Sequence, residues 1–210
     1  IKNRTDAFER FCQKGAPTLK QEHWKYSPLS KDLAQFENLK FSINQNKYFD
    51  EANYEKFDHY QIVLKDGVLI SENIKDEGLE ITNYKKDNFY EIKKNQILDF
   101  NNAFFTSGYE IKVDKNVQVK KPIVIYNYFS KDFEGNNINN KNFIFLDKNA
   151  KTEIYEKNIF DEENQIFFTK NLDIELKEDA HLVKYYLNSK NKNKTIYNFL
   201  RSKLGKNSNF

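Results

Sequence analysis

The stretch that decides the fold is 142–158, "NFIFLDKNAKTEIYEKN": an alternating apolar run, a polar turn opening at Asp147, then a second alternating run. Two other stretches can be laid over it, "YEIKVDKNVQVKKPIVIYN" at 109–127 and "LDIELKEDAHLVKYYLN" at 172–188. Their turns open at Asp114 and Lys177, so the pattern recurs at spacings of 33 and 30 residues. Each turn triplet is followed by a small or β-branched residue: Val117, Ala150 or Ala180. A repeat of this length built only from short strands suits a β-solenoid, in which each coil buries its inward face on its neighbours. An antiparallel sandwich or barrel of the same strands is the competing architecture. Quasi-regular spacing without Gly-rich hairpin turns favours the solenoid.

Upstream of Gly108 the signals are mixed. "RTDAFERFCQKGAP" (4–17) predicts a short amphipathic helix. Asp6 and Glu9 stand in capping-box spacing, Ala7, Phe8, Phe11 and Cys12 form one stripe, and Gly15 and Pro17 are stop signals. "TLKQEHWKYS" (18–27) predicts a second helical piece: Thr18 and Gln21 repeat the box, Leu19, His23 and Tyr26 share a face, and Pro28 ends it. "YQIVLKDGVLIS" (60–71) reads as a hairpin about Asp66-Gly67, and "GLEITNY" (78–84) as a further strand. "DNFYEIKKNQILDFNNAFF" (87–105) returns to a helical rhythm through Ile97, Leu98, Phe100, Phe104 and Phe105. The expected organisation is therefore a helical and mixed region over 1–106 and the first coils of a β core over 107–210.

Composition narrows the function classes. Lys and Arg number 34 against 31 Asp and Glu, a net charge of +3 between interspersed populations, which argues against a nucleic-acid polycation. The single cysteine, Cys12, excludes an internal disulfide, and its place on the apolar stripe predicts a buried, inert thiol. No signal peptide and no membrane-spanning apolar run are visible, so the expectation is a cytoplasmic protein with neither membrane nor nucleic-acid partner. The chain starts at Ile1 and has no Met, and its last segment, "TIYNFLRSKLGKNSNF", brings no closing helix to the coils. Both ends are accordingly read as incomplete. P-loop, dinucleotide, HExxH and CxxC motifs are absent, and His23, His59 and His181 stand far apart in sequence. His181 falls where the other repeats have Gln118 and Lys151, the position of an ordinary strand side chain. The acids Asp161, Glu162 and Glu163 read as solvated surface. In "EHWKYSP" (22–28), Trp24 and Tyr26 could stack on bases with Lys20 and Lys25 on phosphate. Without a surrounding basic patch, a structural anchor is the better reading.

The ordered set "GAPTLKQEHWKYSPL", "LDFNNAFFTSGYEIKV" and "KKPIVIYN", followed by the repeats, resembles the N-terminal half of SufD-type members of the SufB/SufD family. Pro17, Thr18, Glu22, Trp24, Lys25 and Tyr26 match that family's Pro-Thr and Glu-x-Trp-Lys-Tyr-Thr signature, with Ser27 in place of Thr. Phe100, Asn102 and Ala103 match its Phe-x-x-Leu-Asn-x-Ala segment, with Asn101 in place of Leu. Gly108, Pro122 and Ile123 fit the strand and "Pro-Ile" segment that follow.

The resemblance implies a small helical region, then a right-handed parallel β-helix, incomplete here and closed in the family by a C-terminal helical domain. It implies a non-enzymatic scaffold in iron–sulfur cluster assembly, paired through its β-helix with a SufB-like subunit. A SufC-like ABC-type ATPase engages the C-terminal domain. The signature residues are then structural. This segment binds no cofactor, and the iron–sulfur cluster belongs to the intact complex. The rival class is a carbohydrate-active β-helix enzyme, which needs clustered Asp, Arg or Lys on one face of successive coils. The repeats hold no such acid at corresponding positions.

Overall fold

The computed structural model describes residues 2–25, 38–44, 46–50, 54–70, 74–84, 95–160, 165–187 and 194–210. The three overlaid turns all form, and a fourth, Gly205-Lys206-Asn207-Ser208, joins them. In each the third residue takes the left-handed conformation: Asn116 (φ 65°), Asn149 (φ 59°), Asp179 (φ 57°) and Asn207 (φ 54°). Asn and Asp tolerate that region because their short side chains bond locally. A backbone bond from the fourth turn residue to the first closes each turn, as in Ala150 N to Asp147 O at 3.0 Å. Neighbouring turns are tied together by Asn116 N to Lys148 O (2.9 Å), Asn149 N to Glu178 O (3.0 Å) and Asp179 N to Lys206 O (2.9 Å). The Asn149 amide also donates to Asn116 Oδ1 at 2.8 Å.

The turns join two sheets, and the fold is mainly β. Strands β1 (Tyr60–Lys65), β2 (Val68–Leu69), β6 (Ile123–Phe129), β8 (Lys151–Phe160) and β10 (His181–Leu187) form the first sheet. The second contains β3 (Ile74–Asp76), β4 (Leu79–Asn83), β5 (Tyr109–Val113), β7 (Asn137–Leu146), β9 (Ile166–Leu176) and β11 (Lys194–Leu204). From β5 onward, successive strands alternate between the sheets, and each pairs in parallel with the strand two places on. Among the described strands the antiparallel pairs are β1–β2, β3–β4 and β4–β5. Because β1 pairs with β6 and β4 with β5, the strands before residue 107 belong to the same two sheets as those after it. His181 lies beside Lys151, and Lys151 beside Gln118, the register expected from the repeat. Segment 194–210, within the expected coil core but outside the three overlaid repeats, is a further strand and turn of the same pattern.

Facing apolar side chains fill the space between the sheets. Ile62, Ile123 and Ile154 of the first sheet share one cluster with Ile111, Ile144 and Ile174 of the second, and Ala150 and Ala180 sit fully buried beside them. Small residues are needed after the turns because the chain re-enters the core there. The Asp66-Gly67 hairpin forms as expected, with both residues at positive φ (48° and 81°), the combination of a type I′ turn.

Helix α1 (Lys2–Lys14) begins before Asp6, so the Asp6/Glu9 spacing is not its cap, and Gly15 ends it in the left-handed conformation. Its stripe packs on α2 (Gln96–Phe104) through Phe8 on Phe104 and Phe11 on Phe100, and Arg10 Nε donates to Asp99 Oδ1 at 2.9 Å. Cys12 is exposed, against the expectation of a buried thiol. One residue past Phe11 is a further 100° around the helix, which carries the thiol off the packed face. Within the described part of the second helical piece, 18–25, the helical element is one short 3-10 turn, Glu22–Trp24, and the Thr18/Gln21 box half-forms, with Thr18 N donating to Gln21 Oε1 at 3.3 Å. α2 lies on the outer face of the second sheet, where Asn101 Nδ2 donates to Thr169 Oγ1 at 2.8 Å and Thr169 Oγ1 to Asn139 Oδ1 at 2.5 Å. Among the described residues no helix is long and apolar enough to cross a membrane.

The turn ladder predicts that Asn149→Val costs about 2 kcal/mol, from forcing a β-branched residue into the left-handed region and deleting the amide bond. Asn149→Gly keeps the backbone conformation and costs less. Urea denaturation of the three proteins separates the two effects.

Candidate functional site: a buried ion cluster beneath the open edge of the stack

Inward positions on β8 run Thr152, Ile154, Glu156, Asn158. Glu156 puts a charge where the neighbouring coils carry Ile125 on one side and Tyr186 on the other, while Asn158 pairs with Asn127. Glu156 is fully buried. Lys170, from β9 in the opposite sheet, reaches across the interior to Glu156 Oε1, and Lys184 of β10 bonds Oε2 at 2.5 Å. Both lysine side chains are also buried. Asn127 Nδ2 donates to Glu156 Oε1 at 2.8 Å and to Asn158 Oδ1 at 3.0 Å, and Asn158 Nδ2 donates to Tyr186 Oη at 2.6 Å. The Lys170 ammonium stands 4.7 Å from the Tyr186 ring centre. One carboxylate thus holds two cations and ties the two sheets to each other.

Burial by itself would raise the Glu156 carboxyl, but the attraction of Lys170 and Lys184 and their hydrogen bonds outweigh it and hold it at about 2. Lys170 is pulled the other way. Burial lowers its ammonium to about 8, because Glu156 is shared with Lys184 and repays only part of the lost hydration. The carboxylate is the well-served partner and Lys170 the poorly served one. Tyr109, fully buried nearby, is pushed well up by burial and by the Glu156 charge, and its hydroxyl has no hydrogen-bond partner among the described residues.

The cluster lies just beneath the outer edge of the stack. Leu200 and Leu204 of β11 pair with Leu172 and Leu176, which are 2% and 1% exposed, yet are themselves 49% and 50% exposed. No described strand lies beyond β10 or β11. Val183, Tyr185 and Leu187 on the outer face of β10 are exposed as well. Among the described strands β10 and β11 are thus the outermost of their sheets, with apolar side chains along that edge, a combination that suits strand addition.

Of the residues singled out in the sequence, Pro17 is buried, while Thr18, Glu22 and Lys25 are exposed. Trp24 is half-buried and meets Tyr197 of β11 edge-on, with ring centres 6.0 Å apart. Tyr26, Ser27, Pro28 and the acids Asp161, Glu162 and Glu163 lie outside the described residues. His59 bonds Tyr126 Oη through Nε2 at 2.8 Å, and His181 sits on β10, so the two do not converge. No group of three or more His, Cys, Asp or Glu among the described residues could hold a metal ion. Glu156, Lys170 and Lys184 were not singled out. The available signal was parity, since Glu156 continues the inward series of Thr152 and Ile154. No protein-family model matches the chain, and no curated protein matches it.

Because Trp24 is half-buried, Trp24→Ala should cost roughly 1–2 kcal/mol, below the 3–5 of a fully buried aromatic, as read from chemical denaturation. The ion cluster should give stability a pH signature. The unfolded chain binds more protons than folded Lys170 between about pH 8 and the ordinary 10.5, so this group's contribution rises with pH across that window. The Glu156 contribution is lost as pH falls from 4.5 towards about 2. Urea unfolding at stepped pH should show both limbs, with the alkaline limb flattened in Lys170→Met.

Proposed function

We propose that the two sheets are coils of a right-handed parallel β-helix and that the chain is a SufD-like scaffold subunit of iron–sulfur cluster assembly. It is cytoplasmic, is not itself an enzyme, and works with a SufB-like subunit and a SufC-like ABC-type ATPase. The observation that carries this reading is the alternation of strands β5 to β11 between two sheets, each strand pairing in parallel with its counterpart in the adjacent repeat. The Trp-Lys-Tyr segment supports it, because Trp24 leans on β11, as expected of a structural anchor rather than of a base-stacking platform.

The physical role assigned to this segment is rigidity. A stack whose coils are fixed by ladder bonds and by the Glu156 cluster transmits a displacement at one point to its whole length, so hydrolysis by a partner can change the geometry of a paired subunit. The cluster under assembly is cargo. Cys12 and His59 lie on separate elements, so this segment is assigned no ligand to it. The edge of β10 and β11, with Leu200 and Leu204, carries the register and apolar columns that a strand of a paired subunit would match.

The test is affinity purification of the full-length gene product from its own cell extract, with mass-spectrometric identification and quantification. The expected result is co-purification of SufB-like and SufC-like subunits in comparable molar amounts. Recovery of the protein alone, or with glycan-cleaving activity, overturns the proposal.

A further inference from the structure

A groove of about 770 Å³ lies where the start of α1, the segment 41–43, the end of α2 and the start of β7 meet. Its size is within the range of small-molecule sites. Its walls are largely apolar: Phe41 and Ile43 are 54% and 65% exposed, Phe104 meets Phe41 with ring centres 5.0 Å apart, and Ala103 lies beside them. Large apolar side chains gathered in a concavity differ from single apolar residues scattered over a surface.

The groove carries two uncommitted donors. The Arg4 guanidinium lies 3.9 Å over the Phe105 ring, and no described carboxylate pairs with it. Asn137 is 4% exposed, and its Nδ2 has no hydrogen-bond partner among the described residues. The amide orientation is set, because Asn137 Oδ1 accepts from Asn139 Nδ2 at 2.6 Å, which leaves the NH₂ as the free group. Buried donors in native proteins are ordinarily satisfied, so this one calls for a partner. The acid on the lining, Asp66, is already occupied. Its Oδ1 accepts from Ser130 N at 2.8 Å, and its Oδ2 from Ser130 Oγ at 2.5 Å and Asn44 Nδ2 at 2.8 Å. It shapes the groove without offering a free acceptor.

We infer that this groove is a binding site for an anionic amphiphile, a carboxylate on an apolar chain or ring, with the carboxylate on Arg4 and Asn137 and the apolar body on Phe41, Ile43 and Phe104. Arginine suits this task because its planar fork meets a carboxylate with two parallel bonds, and its stacking on Phe105 holds the fork in place. The site is independent of the scaffold reading.

Isothermal titration calorimetry with decanoate, and with decanol as an uncharged counterpart of equal length, tests the inference. Wild-type protein should bind one decanoate with a Kd on the order of 0.1 mM. Arg4→Gln should weaken decanoate about tenfold and leave decanol unchanged. Ala103→Phe, which fills the groove, should weaken both, with melting temperatures recorded to confirm that each variant is folded. Non-saturable uptake, or equal decanoate affinity in wild type and Arg4→Gln, overturns the proposal.

Discussion

Parallel pairing between coils is the constraint on which the rest of the structure depends. A parallel strand satisfies its backbone groups only if its neighbour runs beside it in step, and the column Val113, Leu146, Leu176 and Leu204 keeps that step through the second sheet. On the turn side, Val113 to Gln118, Leu146 to Lys151, Leu176 to His181 and Leu204 to Asn209 span the same interval. The turn therefore cannot vary in length. The difference between the first two repeats is absorbed mostly just after the turn, over 119–122, since Gln118 pairs with Lys151 but Ile123 with Ile154, whereas between the next two it falls on the far side, where Leu187 pairs with Lys157 but Lys194 with Ile166. The fixed interval explains why left-handed Asn or Asp recurs at one place, and why a small residue follows it wherever the coil above leaves no room. Gly108 answers to the same geometry. A Cβ there would collide with the Lys141 carbonyl, because the chain enters β5 against the backbone of β7.

A stack buried on both faces must put polar residues inside when its composition is rich in Asn and Lys. Asn137, Asn139, Asn140, Lys141 and Asn142 are all buried, some facing the interior and others facing α2. Asn140 is satisfied by backbone, its Nδ2 donating to Gly67 O at 2.7 Å and Ser107 O at 3.0 Å, whereas Asn139 Nδ2 donates to Asn137 Oδ1. The Glu156 cluster is the charged form of the same solution. Its worth lies in register more than in net stability, because a desolvated ion pair recovers little over an apolar substitute but is costly to break. A slip of one residue in β8 would turn Glu156 away from Lys170 and leave buried charge uncompensated on both sheets.

These features divide what was legible in the sequence from what was not. The strand–turn–strand unit, its spacing, the His181 register and the Asp66-Gly67 hairpin were legible because each rests on local chemistry: alternation, turn residues and φ preference. The fourth coil was missed because Gly205 replaces the acidic or basic opening of the other turns, although Lys206-Asn207 repeats Lys148-Asn149. Cys12 was misplaced because a two-turn apolar stripe does not fix which edge of it touches the neighbour. The ion cluster was hidden by its non-local pairing, since nothing in "TEIYEKN" says that Lys170 will arrive from the opposite sheet. The abundance of Asn and Lys is informative only together with burial.

Packing and register come together at the edge of β10 and β11. Leu200 and Leu204 stand in columns whose earlier members are buried, so the hydrophobic gain realised by Leu172 and Leu176 is left incomplete there. The backbone next to them presents donors and acceptors in a spacing set by the coils below, and Asn207 presents the same left-handed turn that Asn149 presents to Asn116. A surface of this kind selects by register. A segment seats on it only if its strand, its turn and its apolar residues fall in step at once, whereas hydrophobicity alone satisfies one of the three conditions. The Glu156 cluster immediately beneath keeps the two sheets from sliding against each other, so the edge is presented as one rigid template.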